Sequence, residues 1–210
     1  MSNSKFRLRY IFKPLINLIA KGLVKLGVTP NSATVIMLCF SILSFIFLVF
    51  FQNLIGFSIF VFLTGIWDGL DGQIARLTNK ATRYGGFFDS SMDRISEFII
   101  FLGLLIFSWD FVLWKIIDVS IIVYVSFLTS VMISYSRARA EVFFKGNFDV
   151  GLMARSERLF FIFISMLLAF FFNIVSELLF LFMCLVIATF IFRVVRIYFL
   201  LKKNNPLQKE

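Results

Sequence analysis

The sequence predicts an all-α integral membrane protein with six transmembrane helices and, ahead of them, an amphipathic helix on the membrane surface. Two observations carry this reading. The 210-residue chain is 60% hydrophobic and 16% charged, with a mean hydropathy of +0.94, more apolar side chain than a soluble domain of this length can cover with polar surface. The apolar residues, 31 Phe among them, fall into several long stretches. Each crossing needs about 20 such residues, which leaves room for roughly six helices.

The elements follow in chain order. Residues 1–28 form a juxtamembrane segment whose apolar pieces are too short and too interrupted by Lys and Arg for a cleaved signal. Phe12, Leu15, Ile16, Ile19, Leu23 and Leu26 recur near helical spacing, with Lys13, Lys21 and Lys25 elsewhere, the pattern of a helix lying in the interface. A break at 27–31 starts the first of six expected spans, at 32–51, 54–76, 85–107, 112–135, 159–174 and 178–200. Only the connection at 144–154 is sizeable. No repeat or second domain is evident, so residues 1–210 read as one membrane domain.

The basic residues give the orientation. With the N-terminus inside, every Lys and Arg except Lys115 falls on the same side, so the positive-inside rule puts both termini in the cytoplasm of a multi-pass cell-membrane protein. The net charge of +9 is therefore accounted for without nucleic acid. Cys39 and Cys184 lie in apolar runs and read as packing residues.

There is no His, so any proton or metal chemistry falls to carboxylates. The second and third expected spans break the apolar rule at Asp68, Asp71, Asp89 and Asp93. The first pair is three apart and the second four apart, so on helices each pair projects from one face. Both lie near the cytoplasmic ends of adjacent antiparallel spans and can converge at one depth. Intramembrane carboxylates cost at least a few kcal/mol each unless compensated, and nearby arginines are too few to neutralise four. Oxygen-only ligation of Mg²⁺, Mn²⁺ or Ca²⁺ answers this better than a purely structural network. Gly69, Gly72, Gly85, Gly86 and Ala75 strip side chains from the adjoining faces, either for close helix packing or, clustered as they are, to admit a bulky phosphorylated ligand.

These residues match, without departure, the signature D-x2-D-G-x2-A-R-x8-G-x3-D-x3-D, here Asp68, Asp71, Gly72, Ala75, Arg76, Gly85, Asp89 and Asp93. The chain thus resembles the CDP-alcohol phosphotransferase family. The resemblance implies six transmembrane helices, a homodimer, and a polar cavity open to the cytoplasm. It also implies that the four aspartates hold two metal ions, Mg²⁺ or Mn²⁺, on the diphosphate of a CDP-lipid. By the same resemblance Asp93 is also the general base for the acceptor hydroxyl, and Asn31, Thr34, Gly72, Ala75, Arg76, Thr82 and Gly85 border the CDP-lipid. Arg76 is suited to a diphosphate as a planar multi-donor; Asn31 equally suits a helix N-cap. The implied reaction is attack of an alcohol on the β-phosphorus with release of CMP.

The acceptor is read from the second half. Ile133 to Glu141 and Ala154 to Leu159 resemble the I-S-Y-x-K-A-R-A-E and E-R-x-E-R-L segments of phosphatidylinositol phosphate synthases and their archaeal ether-lipid counterparts. The departures are Arg137 for Lys and Ala154 for Glu. The resemblance implies a phosphorylated polyol, myo-inositol 1-phosphate, held by Ser134, Arg137, Arg155, Arg158 and Arg196, since phosphate oxygens prefer charged donors. For Lys202 and Lys203 the expectation is orientation and lipid head groups only. Two alternatives stand beside this reading: glycerol 3-phosphate as acceptor, and a divalent-cation transporter. The second is disfavoured because the aspartates form no relay toward the far side, where Asp110 and Asp118 lie.

Overall fold

In a computed structural model the described residues, 11–143 and 151–203, are almost entirely helical. They form α1 (Lys13–Lys25), α2 (Pro30–Val49), α3 (Leu54–Leu77), α4 (Arg83–Phe107), α5 (Val119–Phe143), α6 (Arg155–Phe172) and α7 (Val175–Lys203), with strands β1 (Val112–Leu113) and β2 (Ile117–Asp118) before α5. The charges expected before residue 11, most of the connection at 144–154, and Lys209 lie outside the described residues.

Local chemistry sets the helix ends. Gly27, at φ +79°, closes α1 in a Schellman arrangement: Val28 N–H bonds to the Leu23 carbonyl and Gly27 N–H to that of Val24. The Thr29 side chain caps α2 by accepting from Ser32 N–H at 3.2 Å, with Pro30 in the first turn. Asn53 caps α3 by accepting from Gly56 N–H at 2.8 Å, and Thr82 caps α4 by accepting from Gly85 N–H at 3.0 Å. Asn79, at φ +53°, ends α3 as Gly27 ends α1, with Lys80 N–H on the Ala75 carbonyl.

Among the described residues, four helices are long and apolar enough to cross a membrane: Pro30–Val49, Leu54–Leu77, Val119–Phe143 and Val175–Lys202. The expected spans at 85–107 and 159–174 correspond to α4 and α6. Both carry ionisable groups, Asp89, Asp93, Arg94 and Glu97 along α4 and Arg155, Glu157 and Arg158 in the first turn of α6. The expected span at 112–135 is displaced. Residues 112–118 pair as a two-stranded hairpin, Val112 with Asp118 and Leu113 with Ile117, around Trp114 and Lys115 at positive φ. The helix therefore starts at Val119 and runs on to Phe143, two turns past the predicted end. β-Branched and aromatic residues suit strand as well as buried helix, and hydropathy alone does not separate the two.

Helix α2 packs on α3 and α4; α6 packs on α3 and α7; α5 packs on α4 and α7. The main core, including Leu48, Phe57, Val61, Leu104, Ile122, Ile162, Met166 and Phe182, is shared by α2 to α7 and reaches the hairpin at Leu113. Within the helices Ser41, Ser44, Ser58, Thr64, Ser108 and Ser126 return their hydroxyls to carbonyls three or four residues earlier, the standard way to satisfy a hydroxyl where water is absent.

Helix α1 docks on α3 near the opposite end of the bundle. Its Ile16, Ile19, Ala20 and Leu23 meet Ile66, Trp67, Leu70 and Ile74, while Leu15, Leu18 and Leu26 stay exposed. The predicted apolar stripe is thus divided between bundle contact and open surface. Cys39 and Cys184, expected to pack, are both exposed.

Candidate active site

A cavity of about 650 Å³ opens beside the start of α4 and α6 and the end of α3. The helix directions explain its content. The cavity takes residues from the C-terminal turns of α3 and α5 and from the N-terminal turns of α4 and α6. It also takes Arg193 from near the end of α7.

All four predicted aspartates line this cavity. One carboxylate oxygen from each of Asp68, Asp89 and Asp93 lies within 4.8 Å of the other two. Asp71 is buried: it accepts from the Thr34 hydroxyl at 2.9 Å and lies against Asp89. Asp89 Oδ1 is buried with no hydrogen-bond partner. Clustered carboxylates with an orphaned buried oxygen are an unsatisfied arrangement for protein alone, and a hard divalent cation with oxygen ligands fits the donor set. The residues present therefore fit a divalent metal.

Arg155 is placed differently from the expectation of a separate phosphate ligand. Its Nη1 donates to both Asp68 and Asp93, and its Nη2 donates to Ser96 Oγ at 2.6 Å and meets Met37 Sδ at 3.6 Å. It stands on the boundary between the aspartates and the remaining arginines. Arg158, also predicted for the acceptor, lines the cavity while only 1% exposed. Its Nε and Nη2 donate to Glu97 Oε1 at 2.8 and 2.6 Å, and its Nη1 donates to the Met153 carbonyl at 3.1 Å.

Ser134 and Arg137 line the same cavity, with Arg137 Nε on Glu141 at 2.8 Å. Arg196 does not; it is exposed on α7. Arg193, three residues earlier, is buried, lines the cavity and donates to the Ile133 carbonyl at 3.0 Å. Three residues on a helix turn the side chain by about 60°, enough here to separate a cavity position from an exterior one.

Of the predicted CDP-lipid residues, Gly72 and Arg76 line the cavity, whereas Asn31, Thr34, Ala75, Thr82 and Gly85 do not. Thr34 is tied to Asp71, and Thr82 is the α4 cap. Asn31 is not the α2 cap, a place that Thr29 takes; its Oδ1 lies 3.8 Å from where a Cβ on Gly85 would sit. Arg76 is held from the side. Its Nε and Nη2 donate to Gln73 Oε1 at 3.1 and 2.8 Å, and Gln73 Nε2 donates to Asn17 Oδ1 of α1 at 3.1 Å.

The glycines divide. A Cβ on Gly69 would come 2.8 Å from Ile16 Cδ1, so this glycine serves the docking of α1 more than ligand space. A Cβ on Gly72 would meet nothing nearer than the Arg76 guanidinium at 3.6 Å, and one on Gly86 nothing within 4 Å.

Sequence reasoning did not single out Glu97, and on α7 it put Arg196 rather than Arg193 in the acceptor set. Glu97 is a fifth intramembrane carboxylate, the third in the expected span at 85–107, four residues after Asp93. The cost that singled out the four aspartates applies equally to it.

Comparison with known proteins shows the family. Residues 27–195 match the CDP-alcohol phosphatidyltransferase family model. The chain is 35% identical over 165 residues to the archaetidylinositol phosphate synthase of Pyrococcus horikoshii, covering 77% of this chain and 81% of that one. It is 35% identical over 162 residues to the phosphatidylinositol phosphate synthase of Mycobacterium marinum, covering 76% and 67%. The fold is similar to crystal structures of the Mycobacterium tuberculosis phosphatidylinositol phosphate synthase. With CDP-DAG bound, the TM-score is 0.73 at 28% identity over 88% of this chain and 94% of that one. In complex with manganese and citrate, it is 0.75 at 27% identity over 87% and 88%. The chain belongs to the CDP-alcohol phosphatidyltransferase family.

Proposed function

We propose that this protein transfers a phosphatidyl-type group, diacyl or archaetidyl, from a CDP-lipid to the hydroxyl of myo-inositol 1-phosphate, releasing CMP. The observation that carries the acceptor is the lining of one cavity by Arg137, Arg155, Arg158 and Arg193 beside the aspartates. An uncharged alcohol needs no such set of cations, whereas a phosphate monoester does. The likeness to relatives named for inositol phosphate products supports the same reading.

Asp68, Asp71, Asp89 and Asp93 would hold two divalent ions, Mg²⁺ or Mn²⁺; when bound, such ions neutralise charge on the diphosphate and on the departing phosphate. Asp93 takes the proton of the attacking hydroxyl, the only type of base available at the cavity in a chain without His. Arg155, bonded to Asp93, orients that carboxylate. Arg76, over the open face of Gly72, supplies planar donors to the diphosphate. Asn31, Thr34, Ala75, Thr82 and Gly85 remain proposed CDP-lipid residues, and Ser134, Arg137, Arg155, Arg158 and Arg196 remain the proposed acceptor set, with Arg193 added.

The chain is further read as one domain whose six long helices all cross the membrane, with α1 on the cytoplasmic surface and both termini inside. The homodimer is proposed on family resemblance.

The test is CMP release from a CDP-lipid by the purified protein with Mg²⁺ or Mn²⁺, comparing myo-inositol 1-phosphate, glycerol 3-phosphate, serine and free inositol. Release with inositol phosphate, lost in Asp93→Asn, is the expected result. Release with glycerol 3-phosphate or an unphosphorylated alcohol instead would retain the reaction and reject the acceptor.

A further inference from the structure

Glu97 lies one helical turn beyond Asp93 on α4 and is 1% exposed. Both bonds to it from Arg158 end on Oε1, while its Oε2 is buried, with Arg94 Nη1 3.7 Å away. Arg158 in turn lies one turn beyond Arg155 on α6. The two helices therefore face each other through two successive polar rungs, Asp93 with Arg155 and Glu97 with Arg158.

A guanidinium has five N–H donors. Glu97 and the Met153 carbonyl take three bonds from Arg158, and the same side chain borders the cavity. A pair whose role were only to join α4 to α6 has no need of charge, because apolar residues of similar volume join helices without the cost of desolvating two ions. Nor would a purely structural pair need a member on the cavity wall. A free arginine on a flexible stem, by contrast, loses much of its advantage as a phosphate ligand until its plane is fixed.

We propose that Glu97 is the positioning residue of the acceptor-phosphate site: it fixes the plane of Arg158, so that the donors left over face a phosphorylated alcohol in register with Asp93. This rests on the reading of the acceptor as a phosphate monoester. Glu97 itself touches neither substrate.

The experiment is steady-state kinetics of the full-length protein in detergent. Myo-inositol 1-phosphate is varied at saturating CDP-lipid, and then the reverse. Glu97→Gln is expected to raise the KM for inositol phosphate about tenfold, with the CDP-lipid KM and kcat held within about twofold. Glu97→Asp keeps the charge on a shorter side chain and is expected to raise that KM only about threefold. A merely structural pair predicts instead that both KM values stay put and that activity falls only with the folded fraction, measured by thermal unfolding; that result overturns the proposal. If Glu97→Gln does not fold, the acceptor KM of Glu97→Asp decides alone, an increase of about threefold supporting the role and no change rejecting it. A wild-type protein that uses only unphosphorylated alcohols would overturn the acceptor reading and this one together, and the wild-type arm reveals it before any variant is compared.

Discussion

Arg155 on α6 donates from one nitrogen to both Asp68 on α3 and Asp93 on α4, so a single guanidinium joins the two helices that carry the family signature. It also ties the proposed base to the arginine side of the cavity. Replacing Arg155 by Gln is expected to lower kcat/KM for the acceptor by about 10- to 100-fold, the loss of one to two charge-assisted hydrogen bonds. Arg155→Lys should recover little of it, because a single ammonium cannot hold both aspartates and also reach Ser96, which Arg155 bonds through its second nitrogen. Steady-state kinetics on both variants checks this.

The cluster of Asp68, Asp89 and Asp93 makes stability depend on metal. Mn²⁺ at about a hundred times its Kd should stabilise the folded protein by about 2.7 kcal/mol, since a ligand held only by the native state shifts unfolding by mass action. Thermal unfolding in detergent, with and without chelator, measures it. Asp89→Asn should lose most of the Mn²⁺-dependent shift and reduce CMP release by about 100-fold or more.

Asn17, Gln73 and Arg76 form a chain of side-chain bonds from α1 to the cavity rim. Removing its middle member leaves Arg76 unguided but still charged. Gln73→Ala should therefore raise the KM for CDP-lipid about fivefold, equivalent to about 1 kcal/mol for a neutral hydrogen bond, with the acceptor KM unchanged. Substrate-specific KM measurements separate this from the Arg155 effect.

Gly151 holds φ +107°, and a Cβ there would come 2.7 Å from Thr189 Cγ2. Gly151→Ala combines an unfavourable backbone with a close contact and should cost about 1–3 kcal/mol. A lowered Tm is the expected reading. The Met153 carbonyl that anchors Arg158 lies two residues on, so the acceptor KM should rise as well.

Much of this architecture is legible in the chain itself. Long apolar runs between Gly, Pro and Asn breaks locate five of the six long helices within a few residues, because hydropathy and helix breakers act locally. The hairpin at 112–118 was not legible: Val112, Leu113, Ile116 and Ile117 are as apolar as a span, and only the positive φ of Trp114 and Lys115 reveals the turn. At the site, the aspartates could be found because ionised groups amid apolar sequence are costly and few. Arg193 could not be chosen over Arg196, since the rotation of α7 follows from packing and not from spacing. Glu97 could have been found by the same argument as Asp93. Its pairing with Arg158, 61 residues away, depends on how α4 and α6 meet.

The most direct test of the account is the mass of the lipid product formed from CDP-lipid and myo-inositol 1-phosphate, read alongside CMP. The proposed reaction gives a lipid that carries the whole inositol phosphate through a new phosphodiester, its monoester intact, formed in equal amount with CMP and absent in Asp93→Asn. CMP release without that lipid, or a product lacking the monoester phosphate, would contradict it.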